Sequence, residues 1–268
     1  MKDIIQEIRE ANIRDAETWI KEAEFGLGEL GKYIHALDQS SSILEIGCGS
    51  GILLGLIAQK YPSHILTGIE PFQGGFEYLK EISNHLKDVA QIHEVGYQEF
   101  TPSQQYDLIY LVNVFEYLPD YQNFITLVSS WLTPSGKIII MGSNFAFPFE
   151  FHFRVPIIFN KECTYLIFKN LIKKREDEYG TRWDDLNFIP KTDLTIFLKK
   201  NSLISFIDDI DINFRLIDRL SEDPQFAERQ KFIGYLARSV VFLRLRDLAR
   251  LFKARLPYMK IIISSPKR

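Results

Sequence analysis

Cysteine is scarce in this chain: there are two, Cys48 and Cys163, among 268 residues. Cys48 sits inside a glycine-rich stretch, so no structural disulfide is expected, and a reducing, cytoplasmic compartment fits better than an oxidising one. Excess charge of one sign is scarce as well. The net charge of −3 argues against a general nucleic-acid binder, while leaving room for a local basic patch. No apolar run reaches the roughly 18 residues that a membrane-spanning helix needs. The opening MKDIIQEIREANIRD is charged throughout and lacks the apolar core of a signal peptide. There is no internal repeat and no low-complexity tract. What remains is the composition of an ordinary globule, 46% apolar and 25% charged. Its length allows one large α/β domain or two small ones, with a sizeable core.

What is present is glycine at alternate positions. Residues 42–54 read SILEIGCGSGILL. An apolar strand, Ile43 to Ile46, runs into Gly47-Cys48-Gly49-Ser50-Gly51, and an apolar helical pattern starts at Ile52. Alternate glycines remove Cβ atoms where backbone must turn sharply and face a ligand closely. The helix N-terminus behind them offers free N–H groups to polar ligand atoms. The dinucleotide fingerprint G-x-G-x-x-G would need its third glycine at position 52, which is Ile52. The observed G-x-G-x-G, led by Glu45 two residues before the first glycine, resembles motif I of the class I S-adenosylmethionine-dependent methyltransferases.

The rest of the chain carries further landmarks of that family in order. Glu70-Pro71 ends the second strand, His64 to Ile69, and Glu70 lies 19 positions after Gly51. An acid there can accept hydrogen bonds from both ribose hydroxyls of a nucleotide, a geometry dehydrogenases share. Phe72 follows, placed to pack on an adenine face. After a third strand, Val89 to Val95, comes Gly96-Tyr97-Gln98-Glu99. Family members often carry an acid directly after this glycine. Here Tyr97 departs from that pattern, and Gln98 or a backbone carbonyl takes over the adenine contact. The segment YDLIYLVNVFEYLPD, 106–120, resembles the family's fourth strand and the turn after it, with Asn113 and Val114 at the strand end under the methionine part of the cofactor. Glu116 matches the family's acid, and Tyr117 stands where histidine is common. WLTPSGKIII, 131–140, resembles the stretch leading into the fifth strand.

Alternating β and α elements of this length predict a parallel sheet with crossover helices. Helices are expected over the first 37 residues, at Ile52 to Gln59, Phe76 to Leu86, Phe124 to Leu132 and Asp193 to Lys200. Pro134-Ser135-Gly136 stops the fourth of these before a strand from Lys137 to Met141. Leu203 to Ile210 reads as a sixth strand and Met259 to Ser264 as the last. The resemblance implies an α/β, Rossmann-like, seven-stranded, mostly parallel sheet with flanking helices, whose final strand runs antiparallel between the fifth and the sixth. The expectation is a single methyltransferase domain over 1–268. It has an N-terminal helical region at 1–37 and insertions at 144–190 and 212–257 that cap one edge.

The resemblance implies S-adenosylmethionine as cofactor and S-adenosylhomocysteine as product. The residues expected to bind it are Glu45, Gly47, Cys48, Gly49, Gly51, Glu70, Pro71, Phe72, Tyr97, Gln98, Asn113 and Val114, with no metal. An oxygen or nitrogen acceptor usually needs its proton taken, and histidine has the best-matched pKa. Of five histidines only His152 lies downstream of the fifth strand, where acceptor-facing loops are expected. It sits in NFAFPFEFHFRVP, where Phe145, Phe147, Phe149, Phe151 and Phe153 alternate. In an extended chain they share one face, with Glu150, His152 and Arg154 on the other. His152 is therefore the candidate base, with Tyr117 as a second pocket hydroxyl, and the phenylalanines suggest an acceptor with an apolar part. The alternative is a lid strand packed on the core, with Glu150 and His152 solvated. From Arg238 to Lys260 there are seven Lys or Arg and one acid, Asp247. This basic helix, 238–256, either meets an anionic membrane surface or a lipid-linked acceptor, or packs with its arginines reaching solvent. No NPPY-like tetrapeptide follows the fourth strand, which disfavours a DNA base or a glutamine amide as target. A small-molecule acceptor is the leading reading. A nicotinamide-dependent oxidoreductase and a non-catalytic scaffold are the alternatives.

Overall fold

The computed structural model describes residues 4–11, 15–73, 75–86, 88–179, 181–230, 234, 235, 239 and 251–264. Most of the basic stretch 238–256 lies outside them. Two helices, α1 (Ile4–Glu10) and α2 (Ala16–His35), precede β1 (Ser42–Ile46). Then follow α3 (Ile52–Lys60), β2 (Ile65–Ile69), α4 (Leu79–Asn84), β3 (Gln91–His93), β4 (Tyr106–Val112), α5 (Tyr121–Ser129) and β5 (Leu132–Ser143). A short hairpin, β6 (Phe149–Glu150) and β7 (Val155–Pro156), leads to α6 (Lys161–Tyr179), α7 (Lys191–Lys200), β8 (Ile204–Ile207), α8 (Asp209–Glu222), α9 (Pro224–Arg229) and β9 (Tyr258–Ser264).

Seven of these strands form one sheet in the order β3-β2-β1-β4-β5-β9-β8. Neighbours from β3 to β5 are parallel, and β9 runs antiparallel to both β5 and β8. Strand order reverses between β1 and β4, and a sheet of this kind opens its ligand crevice at that reversal. Side chains alternate between two buried layers. Leu44, Ile46, Ile109, Leu111 and Ile140 join the layer under α5 and α7. Ile43, Leu108, Tyr110, Ile139 and Met141 join the layer under α2, α3 and α4. Both faces are covered, so these strands are apolar almost throughout.

Ion pairs of both polarities tie α8 and its two capping residues to α2. Lys21 pairs with Asp223, Glu22 with Arg219, Glu29 with Arg215, and Lys32 with Asp208. Beneath this ladder the fully buried Lys260 of β9 donates to the Glu29 carboxylate and to its carbonyl oxygen, each at 2.9 Å. The insertion after β5 has a core of its own, built from Phe153, Val155, Ile172, Trp183 and Leu186, with Tyr117 packed against it.

Several boundaries shift; α4, for one, covers Leu79–Asn84 rather than Phe76 to Leu86. Helix α5 ends at Ser129, and β5 runs from Leu132 through Pro134-Ser135-Gly136, which does not act as a stop. Leu132 pairs with Tyr106, and the register slips between Tyr106 and Leu108; at such an irregularity a proline's missing N–H is tolerated. Strand β3 is confined to Gln91–His93. Strand β8 ends at Ile207, because Asp208 turns to accept hydrogen bonds from Lys32 and Tyr33, each at 2.7 Å, and α8 starts at once. Both cysteines are free. Among the described residues no helix is long and apolar enough to cross a membrane, and no group of three or more His, Cys, Asp or Glu could hold a metal.

Candidate active site

The loop between β1 and α3 is held from below. The N–H groups of Gly47 and Cys48 both donate to the Ile69 carbonyl at the end of β2, at 2.8 and 3.1 Å. Gly47, Gly49 and Gly51 take φ of +71°, +49° and +73°, which side chains with a Cβ adopt at a cost. At Gly47 a Cβ would also collide with Val114, reaching its Cγ1 at 2.8 Å. Gly49 differs: the nearest atom to a Cβ there is Leu79 Cδ1 at 3.4 Å. The loop is thus crowded by Val114 at Gly47 and less crowded at Gly49, where a Cβ would only touch Leu79. Cys48 is buried, and its thiol is pushed up by burial and then by the Glu45 and Glu70 carboxylates, so it stays protonated.

Two acids brace this loop. Glu70 accepts the Gly49 N–H at 3.0 Å and the Phe72 N–H at 3.1 Å. Burial raises its pKa, against those two hydrogen bonds. The carboxylate therefore ties β2 to the glycine loop and keeps lone pairs for further donors. Glu45 lies one layer deeper, where Tyr110 donates to it at 3.0 Å, and burial holds its pKa well above the usual range. Pro71 follows Glu70 partly buried, and Phe72, with φ of +49°, turns its ring into the core. Tyr97 is buried on the other layer, edge-on to Phe124 with ring centres 4.9 Å apart, while Gln98 is exposed. At the end of β4, Asn113 is exposed, with φ of +55°. Its side-chain oxygen accepts the Tyr258 hydroxyl at 2.6 Å. Burial raises the Tyr258 pKa well above its ordinary value, so that hydroxyl remains a donor.

The phenylalanine stretch is not the extended strand that its alternation predicts. Residues 151–154 form a turn between β6 and β7, and Arg154 has φ of +50°. Phe153 enters the small core edge-on to Trp183, Phe145 stacks on Phe188, and Phe147 stacks on Phe151. Glu150, expected on the polar face, is the buried one at 1% exposure. The turn explains this: its carboxylate accepts the backbone N–H groups of His152 and Phe153. It also lies 2.7 Å from His152 Nδ1. With Nδ1 as the donor to this carboxylate, Nε2 keeps its lone pair. The His152 side chain is 28% exposed, and Nε2 lies 3.9 Å from Glu116 Oε1. Burial alone lowers the imidazole pKa, but the hydrogen bond to Glu150 and the charges of Glu150 and Glu116 outweigh it and raise it.

Glu116 follows β4 in a single 3₁₀ turn, Phe115–Tyr117. It is 2% exposed, and burial raises its pKa, partly offset by His152. The Ser143 hydroxyl donates to Oε1 at 3.4 Å, while Oε2 has no hydrogen-bond partner among the described residues. Tyr117 stands edge-on to His152 at 5.9 Å and to Phe76 at 6.2 Å. Burial pushes its pKa far up, so it is no base. His152 and Tyr117 thus lie side by side. Glu150 and Tyr258 were missed as partners. The Glu-x-His spacing was a usable signal for the first. Nothing local marks Tyr258.

A family model described as a methyltransferase domain matches residues 19–189. The chain belongs to this family and is a class I S-adenosylmethionine-dependent methyltransferase. An uncharacterized protein of Mycobacterium tuberculosis is 26% identical over 249 residues, 90% of this chain and 84% of that one. The (S)-tetrahydroprotoberberine N-methyltransferase of Eschscholzia californica is 24% identical over 62% of this chain and 49% of its own. In fold, the plantazolicin methyltransferase BpumL, crystallised with a triazolic desmethylPZN analog and SAH, superposes with a TM-score of 0.57 at 16% identity, covering 96% of this chain and 89% of that one. The nicotinamide reading falls with this membership.

Proposed function

We propose that this methyltransferase acts on an oxygen or nitrogen of a small-molecule acceptor with an apolar part, with His152 as the base. When bound, the cofactor supplies a methyl group on an electrophilic sulfonium. The remaining work falls to the chain's own residues. The glycine loop at Gly49, the carboxylate of Glu70 beside it and the Asn113-Val114 strand end fit a nucleoside with an amino-acid tail. We assign the cofactor to these, together with Glu45, Gly47, Cys48, Gly51, Pro71, Phe72, Tyr97 and Gln98. Of these, Glu45 acts from beneath the loop.

The observation that carries the acceptor side is the pairing of Glu150 of β6 with His152 in the turn after it, beside Glu116 and Tyr117. A carboxylate on Nδ1 fixes the ring and raises the basicity of Nε2, which then takes a proton from the acceptor. Tyr117, Phe76 and the phenylalanines of the insertion offer apolar surface around it. The segments 144–190 and 212–257 are read as caps on one methyltransferase domain, with 1–37 as its N-terminal helical region. Free cysteines suit a reducing, cytoplasmic setting.

The test is S-adenosylhomocysteine accumulation, followed by mass spectrometry, over a panel of small acceptors. His152→Ala is expected to lower turnover by about 10²–10⁴-fold with unchanged calorimetric affinity for S-adenosylhomocysteine. Full turnover in that variant overturns the base assignment. A non-catalytic scaffold predicts no accumulation with any acceptor.

A further inference from the structure

We propose that the acceptor group is an amine, held as its ammonium between Glu116 and His152; this deepens the methyl-transfer reading above and rests on it. Two carboxylates flank the one imidazole. Glu150 lies 2.7 Å from Nδ1 and Glu116 lies 3.9 Å from Nε2, and their side chains are 0% and 1% exposed. Glu116 Oε2 faces Gly142 and lacks a donor among the described residues, while Oε1, the oxygen toward His152, accepts a long hydrogen bond from Ser143 at 3.4 Å and has room for a stronger donor. The 3.9 Å between Glu116 Oε1 and His152 Nε2 is too long for a hydrogen bond. A nitrogen set to one side of the line between them can stand about 2.8–3.0 Å from both, donating one N–H to the carboxylate and presenting another to the imidazole.

Charge selects among acceptors. An ammonium offers two or three donors and a positive charge to this site. A carboxylate offers no donor and is repelled by both glutamates. A phenol offers one donor, but its oxyanion would form beside two carboxylates, which opposes its ionisation. For the amine the balance is simple. The ammonium proton passes to Nε2, the freed lone pair on nitrogen forms the new bond to the methyl carbon, and the carbon–sulfur electron pair stays on sulfur. The positive charge lost from sulfur reappears on the methylated nitrogen, so no oxyanion has to form.

The experiment uses three matched series of aralkyl compounds: amines such as N-methylbenzylamine, phenols such as 4-ethylphenol, and carboxylates such as phenylacetate. Product formation is read by mass spectrometry. Binding is read by calorimetry with S-adenosylhomocysteine present, with benzyl methyl ether as the uncharged isostere of the amine. Turnover is expected in the amine series. Glu116→Gln is expected to weaken amine binding tenfold or more while leaving the affinities for the ether and for S-adenosylhomocysteine unchanged. Glu116→Asp, which keeps the charge, is expected to restore part of the amine affinity, and it serves where Glu116→Gln does not fold. Equal loss of ether and amine affinity in Glu116→Gln assigns that residue a structural role and overturns the proposal. Methylation of phenols or carboxylates with inert amines overturns it too, but leaves the methyl-transfer reading standing. No product from any series overturns that reading instead.

Discussion

Gly47 and Gly49 share a left-handed backbone but not a setting, and alanine substitutions separate the two contributions. A Cβ in that region of backbone space costs roughly 1–2 kcal/mol. At Gly49 that is the whole expected cost, because the nearest neighbour of the new carbon is at 3.4 Å. At Gly47 the new carbon also meets both methyls of Val114, a stiff β-branched side chain, and overpacking adds about 1–3 kcal/mol. The unfolding entropy of about 2.1 cal/mol/K per residue gives roughly 0.56 kcal/mol per degree for 268 residues. Gly49→Ala should therefore melt about 2–4 °C below the parent and Gly47→Ala about 4–9 °C below. Val114→Ala in the Gly47→Ala background should recover part of the larger loss. Affinity should rank the other way. Gly49→Ala, which changes the less crowded part of the loop, is expected to lose more calorimetric affinity for S-adenosylhomocysteine than its small melting shift suggests. If Gly49→Ala melts lower than Gly47→Ala, or binds S-adenosylhomocysteine like the parent, the reading of the loop as a cofactor cradle at Gly49 is wrong.

Lys260→Met removes one of the two cations on the buried Glu29 and leaves Arg215; breaking a buried pair costs at most about 3–5 kcal/mol, so differential scanning calorimetry should show a melting point lower by up to about 5–9 °C. Glu45 has a folded pKa raised by burial. The stability tied to its protonated form is therefore present at acid pH and lost as pH climbs beyond the unfolded carboxylate range. Glu45→Gln should consequently gain in melting temperature over the parent as pH rises from 4 to 8 (about where carboxylates and then the raised group titrate), and a gain that shrinks with pH contradicts this. Asp120 accepts the N–H groups of Gln122 and Asn123 at the start of α5. Asp120→Ala should cost about 0.5–2 kcal/mol in urea unfolding without changing affinity for S-adenosylhomocysteine.

Much of the fold was legible because its local signals agree. Apolar runs of strand length alternate with helical patterns, and the glycine loop and Glu70 fall where the first two strands end. The cofactor side could be read for the same reason: its residues sit at strand ends, which sequence marks well. The acceptor side depends on long-range and side-chain effects. Alternating phenylalanines read as one strand, yet the buried carboxylate of Glu150 captures two N–H groups and folds the segment into a turn. Pairing with a histidine and the turn's own N–H groups is what allows that acid inside, and alternation carries no trace of it. Tyr258 meets Asn113 across 145 positions of chain, a contact made only by the placement of the last strand.

That placement has a consequence for biosynthesis. Strand β9 sits between β5 and β8 but is made after both. The half of the sheet from β3 to β5 can assemble from segments already synthesised. Until Tyr258–Ser264 emerges, β5 presents a bare edge and β8 has no seat beside it, an arrangement prone to wrong partners. Assembly thus finishes from the middle of the sheet outward. The same late insertion brings Lys260 beneath α2 and Tyr258 beside Asn113, so a nascent chain has neither a settled α2 nor a complete crevice until β9 arrives.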